Sequence, residues 1–247
     1  MKNKKTYFAS DFHLGAPSFE GSLIREKKIV SWLSQIQEDA KTIYLVGDIF
    51  DFWFEYKTVV PRGFTRFMGK IAELTDYGIE VVFFTGNHDM WMFDYFEKEL
   101  GVTVIRQKIE IKIDGKQFLI AHGDGLGKGD HGYKFTKVVF ASKISKWLFA
   151  RAHPNLGVGV ANFISKKSRN KSKKSDEFLG EEKEWLINYS KEKLKEKHFD
   201  YFIFGHRHYP ITLDLKTNSQ YINLGEWITH FTYAVFDGEN LELKSFF

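Results

Sequence analysis

The chain has 247 residues, 43% of them hydrophobic and 17% aromatic, which is enough for a full core in one large α/β domain or two small ones. The absence of cysteine excludes disulfides and thiolate metal sites, so any metal must be held by oxygen and nitrogen donors, which suit Mn, Mg, Fe or Zn. The basic start leads into an apolar run that Asp11 interrupts, and no apolar window of about 18 residues follows, so we expect neither a signal peptide nor a transmembrane helix. The expected location is the cytoplasm.

The formal net charge of +4 conceals an uneven distribution of charge along the chain. Eleven of the 36 basic residues, and none of the 32 acidic ones, lie between His131 and Ser175, so the remainder carries 25 basic and 32 acidic residues and a net charge of −7. One segment therefore accounts for the basicity and needs an explanation of its own. The eleven residues are Lys134, Lys137, Lys143, Lys146, Arg151, Lys166, Lys167, Arg169, Lys171, Lys173 and Lys174.

Apolar runs and amphipathic stretches alternate along most of the chain, which predicts strands that alternate with covering helices. The predicted strands are residues 7–10, 43–46, 81–85, 118–121 and 201–204. The predicted helices are residues 21–39, 62–77, 92–100 and 178–197. Strands near 102–113 form a hairpin turned by Asp114-Gly115, and strands over 209–247 complete a second sheet. The pattern predicts α/β layering in a single domain that spans residues 1–247.

Residues 131–180 break this alternation. Apolar residues between Phe135 and Phe149 indicate one helix, the segment from Pro154 to Gly159 interrupts it, and a second short helix and a Ser/Lys run follow. We interpret the segment as an inserted helical cap. Two explanations stay open: a solvated basic helix pair that buries its apolar face on the body, or a surface whose apolar faces hold acyl chains while its cations meet phosphates and anionic headgroups.

Each of the five predicted strands ends in side chains of metal-ligand type, and the carboxyl ends of strands are where open α/β sheets bind ligands. These side chains are Asp11, His13, Asp48, Asn87, His122, His206 and His208. Residues i and i+2 of an extended chain point the same way, so Asp11 can converge with His13 on one ion, and His206 with His208. Two divalent cations about 3.5–4 Å apart form a clamp for in-line attack on phosphorus. Asn87 coordinates without cancelling the charge that acidifies a bound water.

These motifs resemble the complete signature of the calcineurin-like metallophosphoesterase superfamily. The matching segments are Asp11-x-His13, Gly47-Asp48, Gly86-Asn87-His88-Asp89, His122-Gly123-Asp124 and Gly205-His206-x-His208. The resemblance implies a four-layer αββα sandwich of two mixed sheets flanked by helices. It also implies that Asp48 bridges the two metals, that a metal-bound water or hydroxide attacks phosphorus, and that His88 stabilises or protonates the leaving group. Asp89 or Asp51 would orient His88.

A finer similarity is to the UDP-2,3-diacylglucosamine pyrophosphatases of lipid A biosynthesis. It rests on Ser10-Asp11-x-His13-Leu14-Gly15, Gly47-Asp48-x-Phe50-Asp51-Phe52-Trp53, His122-Gly123-Asp124 with a further Asp130, and the helical insertion. It implies attack at the α-phosphorus to give UMP and 2,3-diacylglucosamine 1-phosphate, with two divalent ions, manganese first, at the inner face of the cytoplasmic membrane. The substrate contacts it implies are Asn87, His88, Asp130, Ser168, Lys171, Lys174 and His206.

One departure keeps a second function open. In well-known members of that group an Arg stands at the position of His88. The alternative is a phosphodiesterase or nucleotide pyrophosphatase that acts on a soluble substrate, and a nuclease belongs in this class because clustered cations attract nucleic acid. The apolar residues interleaved with those cations favour lipid over nucleic acid. A non-catalytic scaffold is disfavoured because every ligand position is retained. No oligomeric state is predicted.

Overall fold

Two β-sheets pack face to face at the centre of the molecule. A computed structural model describes residues 4–127, 131–172, 178, 180–216 and 218–247, and all elements named below belong to these ranges. In spatial order, the six-stranded sheet contains β11 (Leu241–Ser245), β10 (Thr232–Phe236), β1 (Lys5–Ala9), β2 (Ala40–Val46), β3 (Glu80–Phe84) and β4 (Thr103–Ile105). The five-stranded sheet contains β5 (Ile109–Ile113), β6 (Lys116–Ala121), β7 (Tyr201–Phe204), β9 (Ser219–Asn223) and β8 (Ile211–Leu215).

Helices cover the outer face of each sheet. The helices are α1 (Phe19–Ile36), α2 (Thr65–Asp76), α3 (Tyr95–Leu100), α4 (His131–Ala141), α5 (Lys143–Phe149), α6 (Pro154–Ser172) and α7 (Trp185–Glu196). One core cluster joins α1, α2 and α3 to the six-stranded sheet, a second lies between the sheets, and a third joins α7 to the five-stranded sheet. The molecule is therefore the predicted α/β sandwich of four layers, with both sheets of mixed strand direction.

The parallel strands bring their carboxyl ends to one edge of each sheet. β1, β2, β3 and β4 run parallel in the six-stranded sheet, and β6, β7 and β9 run parallel in the five-stranded sheet. These strands are mostly buried apolar runs, as expected of parallel strands covered on both faces. The fold thus places every predicted ligand-bearing strand end at a common edge.

The last two strands correct the prediction that residues 209–247 complete a second sheet. β8 and β9 do join the five-stranded sheet, but β10 and β11 return to the six-stranded one. β10 pairs antiparallel with β1, with Phe8 opposite Ala234, and the chain crosses between the sheets after Asn223. The predicted turn at Asp114-Gly115 is confirmed, because it joins β5 to β6. The other strand of the predicted 102–113 region, β4, is not part of this hairpin and pairs parallel with β3 in the six-stranded sheet.

Helix α1 buries two charged residues and exposes an apolar one. On α1, Ile24 is 60% exposed, whereas Arg25 and Glu26 are buried. Glu26 accepts hydrogen bonds from the backbone N–H groups of Arg66 and Phe67 and so caps the start of α2. Two buried charged residues therefore occupy positions that the hydrophobic pattern assigns to apolar ones.

The predicted cap segment contains three helices among its described residues, one more than expected. The break between α4 and α5 falls at Ser142, which has an extended backbone and accepts a hydrogen bond from the Ser145 N–H. Gly157 does not interrupt a helix, because α6 begins at Pro154 and runs through it. A Cβ at Gly157 would lie 2.7 Å from the Tyr56 hydroxyl, so this glycine permits close packing on the body.

Aromatic contacts attach the cap segment to the body. The ring of Phe149 lies 4.6 Å from that of Phe54 and 4.9 Å from that of Trp91, and the Trp91 indole donates a hydrogen bond to the carbonyl of Phe140. Among the helices of the described part of the chain, none combines the length and apolar character that crossing a bilayer requires.

Candidate active site

The ends of five strands from both sheets converge on one cluster of buried polar side chains. β1, β2 and β3 bring Asp11, His13, Asp48 and Asn87 from the six-stranded sheet, and β6 and β7 bring His122, His206 and His208 from the five-stranded one. Backbone hydrogen bonds from the Asp11 N–H to the Gly47 carbonyl and from the His13 N–H to the Asp48 carbonyl join neighbouring loops. The seven predicted ligands therefore lie together.

Four residues of this cluster have the left-handed backbone conformation that non-glycine residues seldom adopt. The φ angles are 56° at Asp11, 44° at His13, 51° at Asp48 and 65° at His206. Such conformations cost about 1–3 kcal/mol each and tend to collect at functional sites. Gly86 also approaches this cluster so closely that a Cβ there would collide with the Asp48 carboxylate. The strained backbone at these positions thus serves to place the side chains of the cluster.

The first group of ligand atoms belongs to Asp11, His13 and His208. His13 Nε2 lies 3.2 Å from His208 Nε2, and Asp11 Oδ1 lies 3.7 Å from His13 Nε2 and 3.4 Å from His208 Nε2. Asp11 Oδ1 is buried and accepts no hydrogen bond from any described residue. A buried carboxylate oxygen without a hydrogen-bond donor is costly unless a cation compensates it.

The second group belongs to Asp48, His122 and His206. His122 Nε2 lies 3.4 Å from Asp48 Oδ2 and 3.3 Å from Asn87 Oδ1. His122 Nδ1 lies 2.8 Å from the carbonyl of Val46, which can only accept a hydrogen bond, so Nδ1 carries a proton. In the neutral ring Nε2 is then the nitrogen with the lone pair, and it faces the cluster as a metal ligand must.

Asp48 lies between the two groups. Its Oδ2 is 3.4 Å from His122 Nε2 on one side and 3.9 Å from His13 Nε2 on the other. Its Oδ1 accepts a hydrogen bond of 2.9 Å from the His88 N–H, which orients the carboxylate. This is the placement that a carboxylate shared by two cations requires.

The buried carboxylates of the cluster favour positive charge close to them. Burial by itself would raise the pKa of Asp48, but His122 and His88 outweigh it and hold that pKa well below its usual range. Burial opposes charge on His122, yet Asp48 and Asp11 raise its pKa well above its usual range. The two carboxylates thus favour positive charge at this end of the cluster.

These observations fit divalent cations at both groups. The donors are carboxylate and amide oxygens and imidazole nitrogens, which suit Mn, Mg, Fe or Zn. The histidine nitrogens Nε2 of His13 and His208 point at each other over 3.2 Å, which is unfavourable for two lone pairs unless a proton or a cation lies beside them. Their assignment as ligands stays a prediction, and the donor chemistry agrees with it.

His88 lies beside this cluster and is held by Asp51. His88 Nδ1 lies 3.0 Å from the main-chain carbonyl of Asp51 and 3.8 Å from its Oδ1. Burial lowers the pKa of His88 to about 4, and the nearby Asp48 only partly offsets this. Asp51 Oδ1 also lies 3.6 Å from His13 Nδ1. Asp51 is therefore the residue placed to orient His88, and its main-chain carbonyl makes the close contact.

Asp89, the other residue predicted to orient His88, has a different position. Its carboxylate accepts hydrogen bonds from the backbone N–H groups of Ile49 and Gly86, at 2.8 and 2.7 Å. Burial, reinforced by Asp48, raises the pKa of Asp89 to about 7. Asp89 thus ties the Asp48 loop to the Asn87 loop rather than contacting the His88 ring.

Two residues that position the site were not predicted from the sequence. The buried guanidinium of Arg25 donates hydrogen bonds to the carbonyls of Phe12 at 2.7 Å and His13 at 2.6 Å, and also to that of Ala16. Arg25 could have been noticed in the sequence as a charged residue on the apolar face of a predicted helix. Ser165 on α6 contacts Asp51 and His88, and a serine within a Ser/Lys run carries no such signal.

The predicted substrate contacts divide into two sets. Asn87, His88 and His206 lie in the cluster. Ser168 and Lys171 lie on α6, but their side chains are outside the described part of the chain, as are Asp130 and Lys174 altogether. These four stay predictions.

A largely apolar cavity of about 430 Å³ opens beside His88. Helices of the cap segment form one wall through Phe140, Phe149 and Val160, and Phe52 and Trp91 of the body form the other. Ligand pockets span about 300–1,000 Å³, so this cavity has the size of a binding site. Of the three aromatic residues that follow Asp51, Phe52 and Trp53 line the cavity, whereas Phe54 is a buried packing residue.

The sandwich of two mixed sheets, with clustered carboxylate, amide and imidazole ligands at their common edge, defines a metal-dependent phosphoesterase. The profile of the calcineurin-like phosphoesterase family matches residues 4–210, and the chain belongs to that family. A Porphyromonas gingivalis protein named UDP-2,3-diacylglucosamine hydrolase is 42% identical over 98% of this chain and 97% of its own length. A Vibrio parahaemolyticus protein of the same name is 28% identical over 97% of each chain. The crystal structure of a dimetal phosphatase from Danio rerio aligns with 99% of this chain and 96% of its own, at 14% identity and a TM-score of 0.49.

Proposed function

We propose that this chain hydrolyses the diphosphate of UDP-2,3-diacylglucosamine and releases UMP and 2,3-diacylglucosamine 1-phosphate. The observation that carries the proposal is the 42% identity with the P. gingivalis hydrolase, which extends over 98% of this chain. A match of that extent includes both the strand-end cluster and the cap segment. The same resemblance seen in the sequence motifs supports it independently.

The proposal includes two divalent cations, and manganese is the first candidate for both. The residues that would hold them are Asp11, His13, Asp48, Asn87, His122, His206 and His208. Bound there, the cations supply Lewis acidity toward the phosphoryl oxygens and toward water. The chain's own contribution is to hold these donors in place. Asp11, His13, Asp48 and His122 are buried, and backbone hydrogen bonds join the loop of Asp11 and His13 to that of Asp48.

We assign His88 to the reacting phosphate. It lies next to Asn87 and lines the cavity, and its backbone N–H orients the Asp48 carboxylate. Because Asp51 engages Nδ1, Nε2 is the ring nitrogen available to exchange a proton with the leaving group or with water. A positioned imidazole of this kind contributes about 10²–10⁴-fold to a rate.

The apolar cavity beside His88 supports a lipid-linked substrate. Its walls are mainly aromatic and aliphatic, and Lys137 and Asn87 supply polar groups at its lining. An acyl chain that enters this cavity would lie next to the proposed phosphate site, which suits a substrate that carries acyl chains and a diphosphate on one sugar. The four predicted contacts Asp130, Ser168, Lys171 and Lys174 belong to this part of the proposal.

We also propose that the protein acts at the inner face of the cytoplasmic membrane. The described helices of the cap segment expose large apolar side chains to solvent, among them Ile144, Trp147, Leu148, Leu156 and Phe163. Within this segment, residues 131–175 carry eleven basic residues and no acidic ones. Apolar area stabilises insertion by about 25 cal/mol per Å², and each cation near an anionic leaflet adds about 1 kcal/mol.

The decisive experiment compares two substrates with manganese added. UMP release from UDP-2,3-diacylglucosamine is measured against cleavage of bis-p-nitrophenyl phosphate by the same preparation. We expect rapid UMP formation and poor cleavage of the generic diester. Asp48→Ala serves as the control for a contaminating hydrolase, because it should lose both activities.

The opposite result would assign the site to a soluble substrate. His88, where well-known relatives have Arg, is the observation that favours this second candidate, a phosphodiesterase or nucleotide pyrophosphatase. Rapid cleavage of the generic diester without UMP release would replace the lipid substrate and leave the metal-dependent hydrolase in place.

A further inference from the structure

One polar side chain of the cap segment reaches the centre of the site. Ser165 lies on α6 and is only 7% exposed, whereas Phe163, two residues earlier, is 70% exposed. Helix faces that pack on a protein body normally bury apolar groups. At Ser165 the buried group is instead a hydroxyl, so the contacts that it makes require an explanation.

The Ser165 hydroxyl lies within hydrogen-bond distance of Asp51 and His88. Its Oγ lies 2.8 Å from Asp51 Oδ2, 3.1 Å from the Asp51 main-chain carbonyl and 3.0 Å from His88 Nδ1. Ser165 and Asp51 are 114 residues apart in the sequence. The hydroxyl therefore joins the cap segment to the residue that flanks the proposed metal ligands and to the histidine beside them.

The hydrogen-bond chemistry decides where the protons lie. The Asp51 carboxylate and carbonyl only accept, so the single proton of the Ser165 hydroxyl goes to Asp51, and its oxygen is left to accept from His88. His88 Nδ1 faces two acceptors, the Asp51 carbonyl and the Ser165 oxygen, each at 3.0 Å. Nδ1 therefore carries a proton, and in the neutral ring Nε2 does not.

We propose that Ser165 is a positioning residue that fixes the tautomer and ring orientation of His88. This inference rests on the role given to His88 in the proposed function. It assigns the cap segment a part in the chemistry itself, since α6 supplies one of the two acceptors that hold Nδ1 and anchors the carboxylate of Asp51. The cap is then required for fast cleavage of any phosphoester, lipid-linked or not.

The test uses Ser165→Ala and Ser165→Thr in the full chain, with both UDP-2,3-diacylglucosamine and bis-p-nitrophenyl phosphate. Loss of a group that orients a catalytic residue typically costs about 10–100-fold. We expect Ser165→Ala to lower kcat by that factor on both substrates with little change in KM, and Ser165→Thr to restore most of it. Ser190→Ala is the matched control, because Ser190 is buried on α7 and its hydroxyl donates to the carbonyl of Leu186 in its own helix. This variant should leave kcat unchanged.

Two further measurements separate positioning from a general structural role. In a His88→Ala background, Ser165→Ala should have no further effect on kcat, since residues that act through one another are not additive. Ring nitrogen NMR of the magnesium-loaded protein should show His88 with a proton on Nδ1 in the parent and in Ser165→Thr. Ser165→Ala should shift the ring toward the other tautomer.

Several results would overturn the inference. A rise in KM for the lipid substrate alone would make Ser165 a substrate contact, and an unchanged kcat on both substrates or an equal fall in the His88→Ala background would remove its positioning role. The generic diester keeps the test independent of the substrate assignment. If the parent releases no UMP yet cleaves the diester, the proposed substrate fails while the Ser165 measurement still gives its answer.

Discussion

The strand-end cluster and the cap segment are built in opposite ways. In the cluster, Asp11, His13, Asp48 and His122 are buried and Asn87, His206 and His208 are half-buried. They lie at the ends of strands from two sheets, and backbone hydrogen bonds join the loops that carry Asp11, His13 and Asp48. The helices of the cap, α4, α5 and α6, expose many of their large apolar side chains. They meet the body through aromatic and hydrogen-bond contacts around Trp91, Phe149 and Ser165 and through an ion pair of Lys137 with Asp124.

This difference indicates a division of labour. A rigid, charge-dense cluster suits transition-state stabilisation, because preorganised groups need no rearrangement during reaction. An exposed apolar and basic surface suits a partner that is itself apolar and anionic. Changes in the cluster should therefore affect every substrate, whereas changes at the exposed face of the cap should affect only lipid encounter. Ser165 belongs to the cap, but we expect its substitution to affect every substrate, as changes in the cluster do.

The largest effect is expected at Asp48. Asp48→Ala should lose metal and activity together, because the carboxylate between the two ligand groups is gone. Several kcal/mol of lost stabilisation correspond to about 1,000-fold or more in kcat. Elemental analysis for bound manganese and kcat on both substrates check this. Asp214→Ala removes an exposed carboxylate of β8 and should change neither quantity; a manganese-replete, active Asp48→Ala would refute the assignment.

His88→Ala is expected to separate chemistry from metal binding. The variant should keep its manganese, since all seven predicted ligand residues remain, but it should lose about 100-fold in kcat on both substrates, since His88 lines the cavity beside them. The readouts are metal content and kcat. His198→Ala, an exposed histidine, is the matched control. A variant as fast as the parent would show that His88 has no role in the reaction.

The variant Arg25→Lys tests whether metal binding depends on the hydrogen bonds that hold the His13 loop. Arg25→Lys keeps the charge but loses the fork that bonds the carbonyls of Phe12 and His13, so His13 should be held less firmly. We expect manganese affinity, measured by calorimetry, to fall about 10–100-fold. Arg66→Lys makes the same exchange at an exposed position and should bind as the parent does. Unchanged affinity in Arg25→Lys would mean that the loop is held by other contacts.

The smallest effect is expected at the exposed face of the cap. Ile144→Glu removes an apolar side chain that is 71% exposed and adds a charge that anionic headgroups repel. Binding to phosphatidylglycerol vesicles should weaken about tenfold, with cleavage of the soluble diester unchanged. Tyr77→Glu makes a comparable change at the end of α2, before β3 begins and thus away from the site edge. Equal losses in the two variants would argue against a specific membrane face.

Much of the site could be predicted from the sequence because its signals are local. A buried strand followed at once by Asp, Asn or His fixes both the direction and the position of the side chain, so Asp11, Asp48, Asn87, His122 and His206 were predicted without any long-range information. The hairpin at Asp114-Gly115 was confirmed for the same reason, since its turn depends on two adjacent residues.

Other features depend on contacts between distant segments. The cap was predicted with an interruption near Gly157, but packing on Tyr56 and Phe149 gives that glycine a place inside α6. The apolar pattern of the strands after residue 223 is compatible with pairing in either sheet. In the structure β10 pairs with β1, and β11 follows at the edge of the same sheet. Periodicity reports which residues are buried, not against which neighbour.

The sequence by itself therefore determined the class of chemistry, because metal-ligand side chains at strand ends are a short-range pattern. Only the tertiary structure decided how that chemistry is supported. Arg25 holds the His13 loop across 12 residues, and Ser165 reaches His88 across 77. The physical reason is that one arginine or one serine can make its hydrogen bonds with any partner that folding brings near, so its role is set by the neighbour and not by its own place in the chain.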